Sequence, residues 1–196
     1  SAASDVYKRQ VLTDYRQAAI PSLGVNAHSL MPSIAIDLDK VEIVRGPGSA
    51  LYGPGVQNGV IHYITKDPFR YPGTTVSLSG GERSLFAGHL RHAGTFSDDA
   101  GYKITAQYAQ ATDWEFDSTD PEDNGHYDRA SETRDRNYDY MKLNVNGTLI
   151  FNMGDATTVT ANGGFGVTDA TFLTGVGTAE ANGFGYNYGQ LRLQSG

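Results

Sequence analysis

From Thr74 onward the chain alternates apolar and polar residues with a period of two. A first strand carries Val76 and Leu78 on one face, with Thr75, Ser77 and Ser79 on the other. A second puts Phe86, Gly88, Leu90, Gly94 and Phe96 opposite Ala87, His89, Arg91 and Thr95. A third sets Tyr102, Ile104, Ala106 and Tyr108 against Lys103, Thr105 and Gln107. A fourth sets Met141, Leu143, Val145, Leu149 and Phe151 against Lys142, Asn144, Asn146 and Thr148. A fifth sets Val159, Ala161, Phe165 and Val167 against Thr158, Thr160 and Asn162, and a weaker sixth spans Gly185 to Gln194. Such alternation predicts half-buried strands, each near the ~10-residue length of a tilted membrane strand.

The connections between these strands differ in length. Gly80–Arg83, Ser97–Gly101 and Met153–Asp155 are short, whereas Asp113–Asp139 and Asp169–Phe184 read as long. Outer-membrane barrels pair short periplasmic turns with longer external loops. With the first strand running outward, Ser97–Gly101 and Met153–Asp155 fall on the periplasmic side and the two long connections outside. Phe96, Tyr102, Tyr140 and Phe151 lie near strand ends, as interfacial aromatics do. The apolar faces hold Gly, Ala and Tyr beside Leu and Val, which suits lipid better than a packed core.

Upstream, Val41–Thr65 reads as two β-branched runs, Val41–Val44 and Val60–Ile64, around a turn rich in Gly and Pro. Val41-Glu42-Ile43-Val44-Arg45-Gly46-Pro47 is followed by Ser49, Leu51-Tyr52-Gly53, Gly55, Gly59-Val60-Ile61, Ile64-Thr65-Lys66 and Pro68. In order and spacing this resembles the end of the plug domain of TonB-dependent outer-membrane receptors, closely over residues 39–68. The sequence departs at His62-Tyr63, where Asn-Ile is commoner and either pair suits a strand. A phosphate loop is excluded, because Pro54 and Val56 stand where Lys and Ser or Thr are needed.

The resemblance implies a mainly β protein. The C-terminal half of a small α+β plug precedes the first five or six strands of a transmembrane antiparallel barrel of about 22. Its boundaries are a plug portion over residues 11–68, a linker over 69–73 (from the breaker run KDPFRYPG) and barrel from residue 74 to 196. It implies a receptor in the outer membrane of a Gram-negative cell. That receptor takes up a siderophore-iron, cobalamin or glycan ligand with energy from TonB, contacted through a segment before this one. It also implies plug-motif and plug–barrel contact roles for Glu42, Arg45, Gly46, Pro47, Ser49, Leu51, Tyr52, Gly53, Gly55 and Gly59. Arg45 stands where the family's Arg faces barrel carboxylates. The same pairing requirement is met by Glu42 or Asp39 nearby. The alternatives are a passive porin or adhesin, and a secreted soluble carbohydrate-binding β protein.

Composition changes this picture little. A net charge of −7 argues against nucleic-acid partners, and the absence of Cys removes thiol chemistry. No apolar run is long enough for a spanning helix, and the mean hydropathy of −0.40 is compatible with a barrel that is polar inside. Ser1–Gln10 matches the translation of a sequencing-library adapter and reads as foreign, so the gene begins upstream. Ahead of the motif, Val11–Tyr15 reads as a strand, Ile20–Gly24 as a turn, and Ser33–Asp39 as a helical turn with Ser33 as N-cap.

Candidate chemistry is sparse. Residues 113–139 hold ten acids and three bases, a charge of −7, which predicts a solvated external loop. Asp120, Glu122 and Asn124-Gly125 partly mimic a calcium loop, but its closing position is Ser131. His28 stands alone, and His89 and His92 fall on opposite strand faces, so neither marks a metal site. No catalytic constellation and no cofactor motif is present in the sequence.

Overall fold

The computed structural model describes residues 10–18, 35–46, 59–114, 137–154, 156–174 and 177–196. Two sheets organise them. The first contains β1 (Gln10–Thr13), β2 (Arg16–Gln17), β3 (Leu38–Arg45) and β4 (Gly59–Thr65), in the order β2-β1-β4-β3. β1 runs parallel to β4, and the other neighbours are antiparallel. A 3-10 turn at Ala35–Asp37 leads into β3 where a helical turn was expected. Gln10, counted with the foreign segment in the sequence reading, pairs with Val60 in this sheet. Its core is small: Val11 and Ala18 pack with Ile61 and Tyr63, and Leu12 and Val60 with Val44.

The second sheet is a six-stranded antiparallel meander. It comprises β5 (Gly73–Gly80), β6 (Phe86–Thr95), β7 (Ala100–Thr112), β8 (Asp139–Met153), β9 (Thr157–Thr174) and β10 (Gly177–Ser195). It is open, with β5 and β10 at its edges. Its burial is inverted relative to a water-soluble protein. Val76 and Leu78 are 62% and 71% exposed, and Ile104, Leu149, Phe165 and Leu191 are exposed on the same face. The other face buries Arg91, Lys103, Thr105, Lys142, Asn144 and Thr168. Apolar outside and polar inside is the arrangement of a membrane barrel wall.

Two expectations need correction. Asp169–Phe184 is not a long loop: β9 continues to Thr174 and β10 begins at Gly177, with the register shifted between Ala181 and Phe184. Past Val167 the outward positions include Asp169, Thr171 and Glu180, so the apolar alternation is broken there. Tyr140 shares a strand face with inward-facing Lys142, so it is no part of an outward aromatic girdle. Phe96 and Tyr102 do stack on the outer face, 4.7 Å between centroids.

The linker is seated by one small residue. A Cβ on Gly101 would lie 3.0 Å from the Phe69 ring and 3.2 Å from Pro68, so the bare β7 backbone lets the linker lie against the wall. Asp67 fixes the turn, its Oδ1 accepting from the backbone N–H of Phe69 at 2.7 Å.

Candidate plug–barrel docking site

The two sheets meet through charge. Asp37, at the end of the 3-10 turn, is 5% exposed and receives two cations from the wall. Arg91 Nε of β6 donates to Asp37 Oδ1 at 2.8 Å, and Lys103 Nζ of β7 lies 2.8 Å from Oδ2. Lys103 Nζ also donates to Thr65 Oγ1 (2.7 Å) and the Lys66 carbonyl (2.8 Å), using all three of its protons. Arg91 Nη1 donates to the Tyr71 carbonyl at 2.8 Å. Strand alternation places Arg91 and Lys103 on the inward face, and the 3-10 turn delivers the carboxylate between them.

A second contact interleaves the β1–β2 hairpin with β10. Asp14 and Tyr15 both have positive φ, 47° and 67°, which makes a tight two-residue turn. Arg16 lies over the Tyr188 ring at 3.7 Å and donates to the Tyr186 hydroxyl at 2.9 Å. In return, Arg192 of β10 lies over the Tyr15 ring at 4.5 Å. Each element thus gives the other one cation and takes one aromatic face. The Asp14 carboxylate accepts from the Thr65 N–H (3.0 Å) and hydroxyl (2.7 Å), tying this hairpin to the residue that Lys103 holds.

Glycine on β9 makes room for the wall side of this contact. A Cβ on Gly164 would meet the Asn146 amide oxygen and come 2.8 Å from the Tyr188 ring, and one on Gly166 would meet the Asn144 amide oxygen. Between wall and plug lies a cavity of about 250 Å³, lined by Thr13, Asp14, Thr65, Lys103, Asn146 and Tyr188 among others.

Behind the hairpin, His62 is 1% exposed, and its Nε2 accepts from the Tyr15 N–H at 3.1 Å. Burial pushes its pKa below the ordinary value, against the opposing pull of Glu42, whose Oε2 is 3.9 Å from Nδ1.

Of the motif residues, Glu42 sits on β3, paired with Lys40 at 2.7 Å. Arg45 ends β3 exposed, opposite Gly59, and among the described residues it forms no ion pair with Glu42 or Asp39. Gly46 and Gly59 adopt positive φ, and a Cβ on Gly59 would strike the Val44 carbonyl. Pro47, Ser49, Leu51, Tyr52, Gly53 and Gly55 lie outside the described residues, as do His28, Ser33 and Asp120–Ser131. His89 and His92 face opposite sides, and His92 contacts Thr74 and Tyr102 on the outer face. The docking trio Asp37, Arg91 and Lys103 was missed. Its legible signal was two cations on the inward faces of adjacent strands.

No family model matches the chain. It is 30% identical over 95 residues to the vitamin B12 transporter BtuB of Vibrio vulnificus, covering 48% of this chain and 15% of that protein. It is 34% identical over 65 residues to the ferrichrome outer membrane transporter/phage receptor of Escherichia coli, covering 33% of this chain and 9% of the relative. Among solved structures, the copper transporter OprC superposes with a TM-score of 0.60 at 20% identity, covering 84% of this chain and 23% of that one. The ferripyoverdine receptor of Pseudomonas aeruginosa superposes with a TM-score of 0.57 at 16% identity, covering 88% and 20%. The chain therefore spans a small part of these proteins' length. It is similar to TonB-dependent outer-membrane receptors over most of its own residues, and it has their plug-and-barrel fold. Its apolar strand faces are exposed on the side away from the β1–β4 sheet, as in the wall of an outer-membrane barrel.

Proposed function

We propose that this chain is the plug end and first wall strands of a receptor that imports a scarce ligand, of siderophore-iron, cobalamin or glycan type, with energy delivered by TonB. The observation that carries the reading is the docking of Asp37 between Arg91 and Lys103, which puts a folded β1–β4 sheet against the polar face of a membrane wall. A passive pore needs an open lumen, and here a folded sheet is docked on the polar face of the six strands.

Import then requires the plug to shift. Separating a buried carboxylate from its cations costs about 3–5 kcal/mol, which holds the undocked plug to roughly 1% or less of the population at rest. The outer membrane holds no ion gradient of its own, so the work arrives by contact with a periplasmic partner. The cavity beside the ion cluster gives water a way to the bonds lost as the plug moves. By the motif, Glu42, Arg45, Gly46, Pro47, Ser49, Leu51, Tyr52, Gly53, Gly55 and Gly59 serve plug–barrel contact, with Arg45 facing barrel carboxylates.

The test uses cells bearing the complete receptor. Collapsing the inner-membrane proton gradient stops ligand uptake and leaves surface binding intact. Undiminished uptake without the gradient overturns the reading in favour of a passive pore.

A further inference from the structure

The motif departs from its common form at His62, where Asn is commoner, and the docking geometry gives that change a consequence. The His62 side chain is buried on β4 and makes no bond to the wall itself. It holds the part of the plug that does. Its Nε2 accepts the Tyr15 N–H at 3.1 Å, and the two rings meet edge to face with centroids 4.6 Å apart. The Tyr15 ring also takes the Arg192 guanidinium of β10 at 4.5 Å. Tyr15 therefore connects a plug imidazole to a wall cation.

With Nε2 accepting, the neutral ring carries its proton on Nδ1, 3.9 Å from Glu42 Oε2. A second proton can go only to Nε2, where it opposes the Tyr15 N–H, donor against donor. It also brings a second positive charge within reach of Arg192. Both effects fall on Tyr15. The groups facing His62 are Glu42 and Lys40 from β3, the Asp14 carboxylate and Tyr15 phenol from the hairpin turn, and Arg192 from β10. The two anions and two cations oppose one another, and burial, the largest influence, favours the neutral ring. Segments 19–34 and 47–58 add no Lys, Arg, Asp or Glu, and their titratable residues are His28 and Tyr52.

We propose that His62 is a proton-operated catch: protonation at Nε2 frees Tyr15 and loosens the β1–β2 hairpin from β10, so that the plug shifts with less work in an acidic medium. This rests on the import reading above and adds a regulation to it. The outer membrane holds no ion gradient of its own, so the plug stands at the pH of the surroundings. Asp14 still ties the turn to the Tyr63 carbonyl and to Thr65, so the catch loosens the hairpin without unfolding the sheet. An Asn at this position does not titrate, so the property belongs to this sequence rather than to the motif.

The test is hydrogen exchange over residues 10–18 in the purified complete receptor in detergent. It needs neither ligand nor proton gradient, so its failure leaves the import reading standing, and the reverse. After correction for the intrinsic pH dependence of exchange, protection of this segment falls at least about five-fold between pH 7.5 and 5.0. A ring of ordinary pKa, about 6.5, in the loosened plug sets the ceiling at roughly thirty-fold. His62→Gln offers Tyr15 an acceptor that does not titrate, and its protection stays level over the same range. Glu42→Gln, a change at a half-buried position, removes the anion that favours the charged ring and moves the fall to lower pH. Heat-modifiable migration on gels confirms that each variant is folded. Level protection in the unaltered receptor, an equal fall in folded His62→Gln, or a fall at unchanged pH in Glu42→Gln would each overturn the proposal.

Discussion

Removing the charge of Asp37 strands two buried cations. Asp37→Asn is expected to weaken plug docking by about 3–5 kcal/mol, the cost of leaving buried charge uncompensated. Faster hydrogen exchange over β4 in the complete receptor measures it. The triple change Asp37→Asn, Arg91→Gln, Lys103→Gln removes the stranded charges as well and loses less than the single change. A single variant with unaltered exchange would show that the cluster holds nothing. His62 sets a second residue-scale expectation. Its buried neutral ring has a pKa below the ordinary value of about 6.5, so folding favours the unprotonated form. The contribution is complete above that value and is lost as pH falls through the depressed folded pKa. Plug exchange therefore accelerates below pH ~6.5, and His62→Gln flattens the dependence. An identical pH profile in the variant would remove His62 from the account. Asp37 was hard to read because its partners lie 54 and 66 residues away. The family pattern directed attention to a plug Arg facing wall acids, whereas the described contact has a plug acid facing wall bases.

At the scale of elements, the strands of the lower wall were plain in the alternation, because lipid demands an apolar residue at every second position. The upper halves of β9 and β10 were not. There Asp169, Thr171 and Glu180 stand at outward positions, so the apolar alternation is broken and the signal vanishes. β7 ends at Thr112 and β8 starts at Asp139, and residues 115–136 between them lie outside the described residues. If this segment is external, a cysteine at Gly125 of the complete receptor reacts with a membrane-impermeant reagent on intact cells. Labelling only after the outer membrane is opened would reverse the topology. The glycine contacts give another test. Gly164→Ala drives a methyl against Asn146 and Tyr188, so Arg16 loses its aromatic seat. A loss of about 1–3 kcal/mol in plug stability is expected from such overpacking, read from protease cleavage of the β1–β2 hairpin. Unchanged cleavage would mean that the tyrosine pair is not the hairpin's anchor.

For the whole molecule, the inverted wall decides the reading. Six strands expose Leu, Phe and Ile and bury Lys, Arg, Asn and Thr, and a small sheet with little core of its own leans on the buried face. Such an open sheet is stable only when closed by further strands, because lipid satisfies no free backbone edge. The most direct test is a spin-label scan through residues 102–108 of β7 in the complete receptor, reconstituted in bilayers. Accessibility to oxygen dissolved in the lipid should peak at 102, 104, 106 and 108. It should fall to a minimum at 103, 105 and 107, where water-soluble nickel reagent is also excluded by the docked plug. Lipid exposure at the odd positions, or free access of the aqueous reagent to both faces, would contradict a plugged membrane wall.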